Sequence, residues 1–94
     1  TEMEKHYYKI DTQFIENYGA HSEPVTNHWK FKGGDTYFVI SSSPRIANAV
    51  AFVATYLAND GCQTVEIPVQ WAEVSSTEML SELEERNLKT FTIE

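Results

Sequence analysis

Residues 35–74 have the sequence DTYFVISSSPRIANAVAFVATYLANDGCQTVEIPVQWAEV, and this stretch decides the fold class. Its first part, DTYFVIS, is rich in aromatic and β-branched residues and predicts a strand. The segment SSSPRIANAVAFVATYLANDG predicts a helix, with Ser43 as N-cap, Pro44 at the first helical position and Gly61 as the stop. CQTVEIPVQWAEV predicts a second strand. Because a strand–helix–strand step in one sheet is almost always parallel and right-handed, the stretch predicts an α+β fold.

The second strand carries a proline in its interior. Pro68 has no backbone N–H to donate, so it predicts an edge strand or a bulge rather than a central strand. Simple alternation along the strand would place four apolar side chains on one face, namely Val65, Ile67, Val69 and Trp71.

The predicted helix has two apolar stripes when it is projected at about 100° per residue. The aliphatic stripe consists of Ile46, Val50, Val53 and Leu57, and we expect it to pack on the sheet. The second stripe consists of Ala47, Ala51, Ala54 and Ala58. Small side chains permit close approach of another helix, which would be either the C-terminal helix or the same helix of a second copy in a homodimer.

Upstream of this stretch, the sequence predicts two strands and a loop. HYYKIDTQFI, residues 6–15, alternates as a strand does, whereas ENYGAHSEPVTN, residues 16–27, is rich in loop-forming Gly, Asn, Ser and Pro. NHWKFK then predicts a short strand. Gly33 and Gly34 both tolerate positive φ, so they predict a two-residue type I′ hairpin between this strand and DTYFVIS.

Downstream, the sequence predicts a second helix and a last strand. Ser75 and Glu78 have the spacing of a capping box at the start of TEMLSELEERN, and Asn87 can end that helix in the left-handed conformation. LKTFTIE predicts a short strand. We therefore expect a single domain spanning residues 1–94, with the order β-β-β-α-β-α-β, a mixed sheet of about four to five strands and both helices on one face.

Composition limits the classes of partner and compartment. The chain has 94 residues, 41% of them hydrophobic, and 14 acidic against 7 basic residues give a formal charge of −7. Such a charge repels phosphate, so direct binding to nucleic acid or to an anionic membrane is disfavoured. A lone cysteine, no apolar run of membrane-spanning length and no secretory signal pattern predict a cytoplasmic protein.

Three hypotheses concern the predicted loop and its surroundings: a metal site, a small enzyme and a ligand-binding module. His21 and His28, with Glu16 and Glu23, offer metal-binding side chains, but their spacing matches no ligand pattern, so no metal or other cofactor is predicted. A small enzyme would pair Cys62 with one of these histidines. A small-molecule or nucleotide-binding module would use the loop from Asn17 to His21.

The strongest concentration of charge lies near the C-terminus. Glu78, Glu82 and Glu85 recur at i, i+4 and i+7 on one face of the second predicted helix, and Glu73 and Glu84 bring residues 73–85 to five acids and no base. Met79, Leu80 and Leu83 are expected to pack into the core on the opposite face. The acidic stripe is either a solvated surface or a partner-binding surface that imitates phosphate charges and occupies a basic groove on another protein.

Two blocks, YKIDTQFIENYGAH and WKFKGGDTYFV, resemble a family of short proteins encoded by tailed bacteriophages. The family pattern is Y-x-I-x-T-Q-x-x-E-N-Y-G-A-H followed by W-K-x-K-G-G-x-x-Y-x-V, and the resemblance runs from Tyr8 to Val39. Family members carry a longer Asp/Gly-rich insertion where this chain has SEPVTN, and they have no established activity. The resemblance implies an accessory protein made in the cytoplasm of a bacterial host.

These observations favour a non-enzymatic inhibitor or adaptor that binds a host protein, such as a defence or nucleic-acid-binding complex. The two blocks also define a candidate loop site, which is either a binding tip or a structural turn. Its residues are Glu16, Asn17, Tyr18, His21 and Trp29.

Overall fold

A computed structural model of the protein describes residues 4–17, 29–31, 33–58 and 64–93. Within these ranges the elements are β1 (His6–Asn17), β2 (Trp29–Phe31), β3 (Thr36–Ser41), α1 (Ile46–Ala58), β4 (Thr64–Val74), α2 (Ser76–Glu85) and β5 (Lys89–Ile93). The α+β class and the predicted order of strands and helices are confirmed.

The long strand β1 organises a mixed sheet. On one side it pairs with β4 in antiparallel fashion, and on the other side it pairs, also antiparallel, with β3 and β2. β5 adds to β3 in parallel. The sheet therefore has the lateral order β4, β1, β3 and β5, with β2 continuing the row of β3 along β1.

The predicted hairpin at Gly33 and Gly34 is wrong. Since β2 and β3 both run antiparallel to β1, they run in the same direction, and the glycines connect them end to end. The backbone N–H of Phe14 donates to the Gly33 carbonyl over 2.8 Å and that of Thr12 donates to the Asp35 carbonyl over 2.8 Å, so the connection stays hydrogen-bonded to β1.

The two glycines have a different structural role from the one predicted. Gly33 has φ of +119°, which side chains rarely tolerate, and a Cβ on Gly34 would overlap the Thr12 carbonyl oxygen. The register also changes by one residue, from Asp11 opposite Thr36 to Ile15 opposite Phe31. The glycines thus accommodate a bulge along β1.

The two helices lie on opposite faces of the sheet, so the prediction of one shared face is wrong. Tyr8 and Ile10 belong to the core cluster that α1 covers, whereas the intervening Lys9 points the other way and its Nζ donates to Glu82 of α2 over 2.7 Å. The connection from β3 through α1 to β4 crosses β1 in one direction. The connection from β4 through α2 to β5 crosses the sheet in the opposite direction. Right-handed connections in opposite directions place their helices on opposite faces.

The core lies between α1 and the sheet, as the aliphatic stripe predicts. Val53 and Leu57 are buried and Ile46 and Val50 pack against the same cluster, joined by Ala49. Ala47, Ala51 and Ala54 are exposed. Because α2 is on the opposite face, it does not cover this alanine stripe, and the alternative of helix packing within one chain is wrong.

The start of α1 differs from the prediction. The helix begins at Ile46, two residues after Pro44. Ser43 still satisfies donors before the first turn, since its Oγ accepts from the Arg45 backbone N–H over 3.2 Å and from the Asn48 side-chain amide over 2.9 Å. Gly61, the predicted stop, lies outside the described residues.

Strand β4 confirms both alternatives that Pro68 predicts. Within the described ranges β4 pairs only with β1, and its register shifts between Asp11 and Thr12, leaving Val69 as the extra residue of a bulge. The predicted single apolar face is wrong because a bulge reverses the alternation. Trp71 pairs with Ile10, on the α1 side, whereas Ile67 pairs with a residue of the other face.

Helix α2 has the predicted beginning and a different end. The Ser75 Oγ accepts from the Glu78 backbone N–H over 3.1 Å, which confirms the N-cap. Arg86 is the C-cap in extended conformation, with φ of −135° and ψ of 145°. No non-glycine residue in the described ranges has positive φ, so the left-handed stop at Asn87 is wrong.

Only part of the predicted apolar face of α2 is buried. Met79 is buried, Leu83 is half-buried, and Leu80 is 56% exposed. Leu80 follows Met79 by 100° around the helix, which turns it away from the sheet contact. Neither helix in the described part of the chain has the length and apolar character of a bilayer-spanning helix.

Candidate functional site

Helix α2 presents three exposed carboxylates on the outer surface of the domain. Glu78, Glu84 and Glu85 are all exposed, and the last turn of the helix contains no basic residue. Glu78 also lies in the first turn, where its charge is favourable toward the helix dipole. Glu84 and Glu85 lie at the opposite end, where the dipole disfavours negative charge, so local helix stability does not explain them.

Glu82 has a different environment from its neighbours. Its Oε2 accepts from Lys9 Nζ over 2.7 Å, its Oε1 lies 3.6 Å from Arg86 Nη1, and its side chain is only 21% exposed. The prediction that Glu82 points to solvent is therefore wrong. Glu82 follows Met79 by three residues and so shares the helix face that contacts the sheet. It therefore anchors α2 rather than forming part of a free acidic surface.

Glu73 is separated from the acids of α2. It pairs with Tyr8 across the sheet, on the face that α1 covers, and its Oε2 lies 2.9 Å from His6 Nδ1. The five acids predicted as one surface therefore divide between two faces. The exposed acidic surface of α2 consists of Glu78, Glu84 and Glu85, which we call the acidic face.

A groove of about 260 Å³ lies on the α2 side of the sheet, next to β4. Its lining residues are Lys9, Asp11, Gln70, Trp71 and Ala72. The Lys9 ammonium is already paired with a carboxylate of α2. Asp11 Oδ1 accepts from the Thr36 hydroxyl over 2.7 Å, which orients the carboxylate.

The groove adjoins exposed apolar side chains on an edge strand. Ile67, Val69 and Trp71 of β4 are 38%, 39% and 49% exposed. Trp71 lies on the α1 face of the sheet and Ile67 on the other, so these side chains flank the outer edge of β4 on both faces rather than forming one apolar patch. The sequence did not indicate this groove. Its residues come from β1 and β4, and only the strand register makes them neighbours.

The opposite face of the sheet holds a carboxylate that sequence reasoning missed. Glu66 Oε2 accepts from the Thr12 hydroxyl over 2.6 Å and from the Tyr37 hydroxyl over 2.7 Å, and both donor residues are buried. Burial, followed by the hydrogen bond to Glu66, raises the pKa of Tyr37. The three residues lock β1, β3 and β4 together, and nothing in the spacing of the sequence marks Glu66 for this role.

The candidate loop site is described only at its base. Asn17 ends β1 directly opposite Trp29, the first residue of β2, and Glu16 pairs with Lys30. Tyr18 and His21 lie outside the described residues, as do His28 and Cys62 of the enzyme hypothesis and Glu23 of the metal hypothesis. The loop-module and enzyme alternatives therefore stay predictions.

No family model, curated protein or solved structure matches the chain. The phage-family resemblance accordingly stays a prediction.

Proposed function

We propose that this chain is a phage-encoded accessory protein that binds a host protein in the bacterial cytoplasm and inhibits or modulates it without catalysing a reaction. The observation that carries the proposal is the acidic face of α2, with Glu78, Glu84 and Glu85 all exposed on one short helix. Two of these acids occupy the helix end where negative charge is unfavourable. Contact with a basic partner would compensate for that arrangement.

The anchor of α2 supports the same function. The Lys9 Nζ–Glu82 Oε2 bond of 2.7 Å fixes the helix on the sheet, so the helix that carries the exposed carboxylates is in place before a partner arrives. Preorganisation reduces the entropy lost on binding. Glu78 and Glu85 are seven residues apart, which corresponds to about 10 Å along a helix axis. Negative charges carried on an anchored helix in this way imitate phosphates and suit a basic groove that otherwise binds nucleic acid.

Affinity capture with charge-matched variants tests the proposal. The tagged protein is incubated with bacterial lysate, and captured proteins are identified and quantified by mass spectrometry. The test variant is Glu84→Gln with Glu85→Gln. The control is Thr90→Lys with Thr92→Lys, at exposed positions of β5, on the opposite edge of the sheet from β4.

Both double variants change the formal charge by two, from −7 to −5, so they separate a local from a global charge effect. We expect the glutamine variant to lose the captured partner and the lysine variant to retain it, with circular dichroism unchanged in both. Equal capture by the two variants would contradict a role for the acidic face. Absence of any captured protein would contradict the proposed function itself.

A further inference from the structure

The outer edge of β4 is available for a further strand. Across the described residues β4 pairs with β1 from Tyr7 to Glu16 and has no second partner, although it is 11 residues long. An edge strand leaves a row of backbone N–H and C=O groups unpaired, and an extended segment of another protein can pair with them. Pro68 and the bulge at Val69 interrupt the row. The continuous part is therefore Gln70–Val74.

The groove specifies one side chain of such a segment. Gln70 and Ala72 alternate along β4 and both line the groove, so a strand added outside β4 would project alternate side chains over it. Asp11 lies in the groove with one carboxylate oxygen bonded to Thr36. Because Lys9 is already paired with Glu82, Asp11 is not neutralised by it, and a cation suits the groove best.

Charge also distinguishes a basic partner from a second copy of this chain. The sequence of β4, TVEIPVQWAEV, contains two acids and no base. Pairing β4 with its own copy would bring two acidic strands together beside two copies of Asp11, and like charges across strands are destabilising. A basic strand would instead place opposite charges beside the acids of β4 and Asp11, which is stabilising.

We propose that the β4 edge from Gln70 to Val74 binds an extended basic segment of the partner protein by strand addition, with an arginine side chain entering the groove against Asp11. Arginine is preferred over lysine because its planar fork donates two hydrogen bonds to a carboxylate such as that of Asp11. This inference rests on the proposed function, since it names a second contact for the same partner.

Peptide binding tests the inference without knowledge of the natural partner. The probe is a blocked eight-residue peptide of alternating arginine and valine, at physiological ionic strength. The control peptide has the same composition with its arginines grouped at one end. Amide NMR spectra and hydrogen exchange of the labelled protein are recorded with each peptide. We expect the alternating peptide alone to protect β4 amides within Gln70–Val74 and to shift the Asp11 signal.

Two isosteric variants test the role of the groove. Asp11→Asn keeps an oxygen that accepts from Thr36 but removes the charge, and we expect it to weaken the alternating peptide by about tenfold or more, as for one charge-assisted hydrogen bond. Asp35→Asn makes the same charge change at an exposed position outside the groove and should leave the affinity unchanged. Equal affinities for the two variants, or for the two peptides, would overturn the inference.

The outcome is separable from that of the capture experiment. If the alternating peptide fails to bind while capture still depends on Glu84 and Glu85, the strand-addition inference is wrong and the proposed function stands. If the peptide binds as described while no host protein is captured, the edge is a binding site and the proposed function is wrong.

Discussion

Replacing Tyr37 by phenylalanine should destabilise the fold measurably while leaving its packing intact. The Tyr37 side chain is buried, and its hydroxyl donates to Glu66 Oε2 over 2.7 Å. A hydrogen bond to a charged group contributes about 1.5–3 kcal/mol. Phenylalanine keeps the ring and its contact with Phe91, whose centroid lies 5.8 Å away. Because Thr12 still donates to the same oxygen, we expect the lower part of the range, about 1.5–2 kcal/mol.

Urea titration and thermal unfolding, both followed by circular dichroism, measure this loss of unfolding free energy. A domain of this size loses about 4–8 °C of melting temperature per kcal/mol, so the melting temperature should fall by roughly 6–16 °C. Tyr56→Phe is the matched control, because Tyr56 is 45% exposed and its hydroxyl removal should stay within about 0.5 kcal/mol. If both variants unfold at the wild-type urea concentration, the Glu66 network does not stabilise the sheet.

Tyr37→Phe should also change how the free energy of unfolding depends on pH in the alkaline range. Burial, then the bond to Glu66, raises the pKa of Tyr37 above its ordinary value of 10.0. The folded state therefore holds this proton more tightly than the unfolded state, so the stabilisation is complete below pH 10 and is lost as the pH rises further. Wild-type stability should fall more steeply above pH 10 than that of Tyr37→Phe. In the variant, the free energy of unfolding should still fall somewhat above pH 10 because of Tyr8, whose pKa is raised by burial and then by Glu73. Identical slopes would contradict the account.

Three further substitutions test other parts of the structure. Gly34→Ala should destabilise by about 3 kcal/mol in urea titration, because its Cβ would overlap the Thr12 carbonyl oxygen; a loss below about 1 kcal/mol would contradict that close approach. Glu82→Lys should destabilise by about 1–3 kcal/mol by placing a second cation beside Lys9, and an unchanged unfolding midpoint would show that the pair does not anchor α2. For the proposed homodimer through the alanine stripe, Ala51→Glu should remain folded, since Ala51 is exposed, and should sediment as a monomer while the wild type sediments as a dimer; a monomeric wild type would end that proposal.

Features that depend on a few neighbouring residues were predictable from the sequence. Ser75 caps α2 through a contact three residues away, and Pro68 marks an edge strand with a bulge because a proline lacks the donor that a central strand needs. The aliphatic stripe from Ile46 to Leu57 follows directly from helical periodicity.

Features that depend on distant pairing were not predictable in this way. Gly33 and Gly34 have the same local chemistry in a hairpin as in a bulge, and only the common direction of β2 and β3 along β1 distinguishes the two. The Lys9–Glu82 bond joins residues 73 positions apart and turned a predicted solvent-facing acid into an anchor. The placement of the two helices depends on the lateral strand order, which local patterns do not contain.

The dependence of the association rate on salt tests the central claim most directly. Once the captured partner is purified, its association rate constant with the wild type and with the Glu84→Gln, Glu85→Gln variant is measured by stopped flow between low and physiological ionic strength. If the acidic face steers binding, the wild-type rate should fall by about tenfold or more over this range and that of the variant by much less. Equal salt dependence in the two proteins would contradict the claim that the acidic face of α2 recognises the partner.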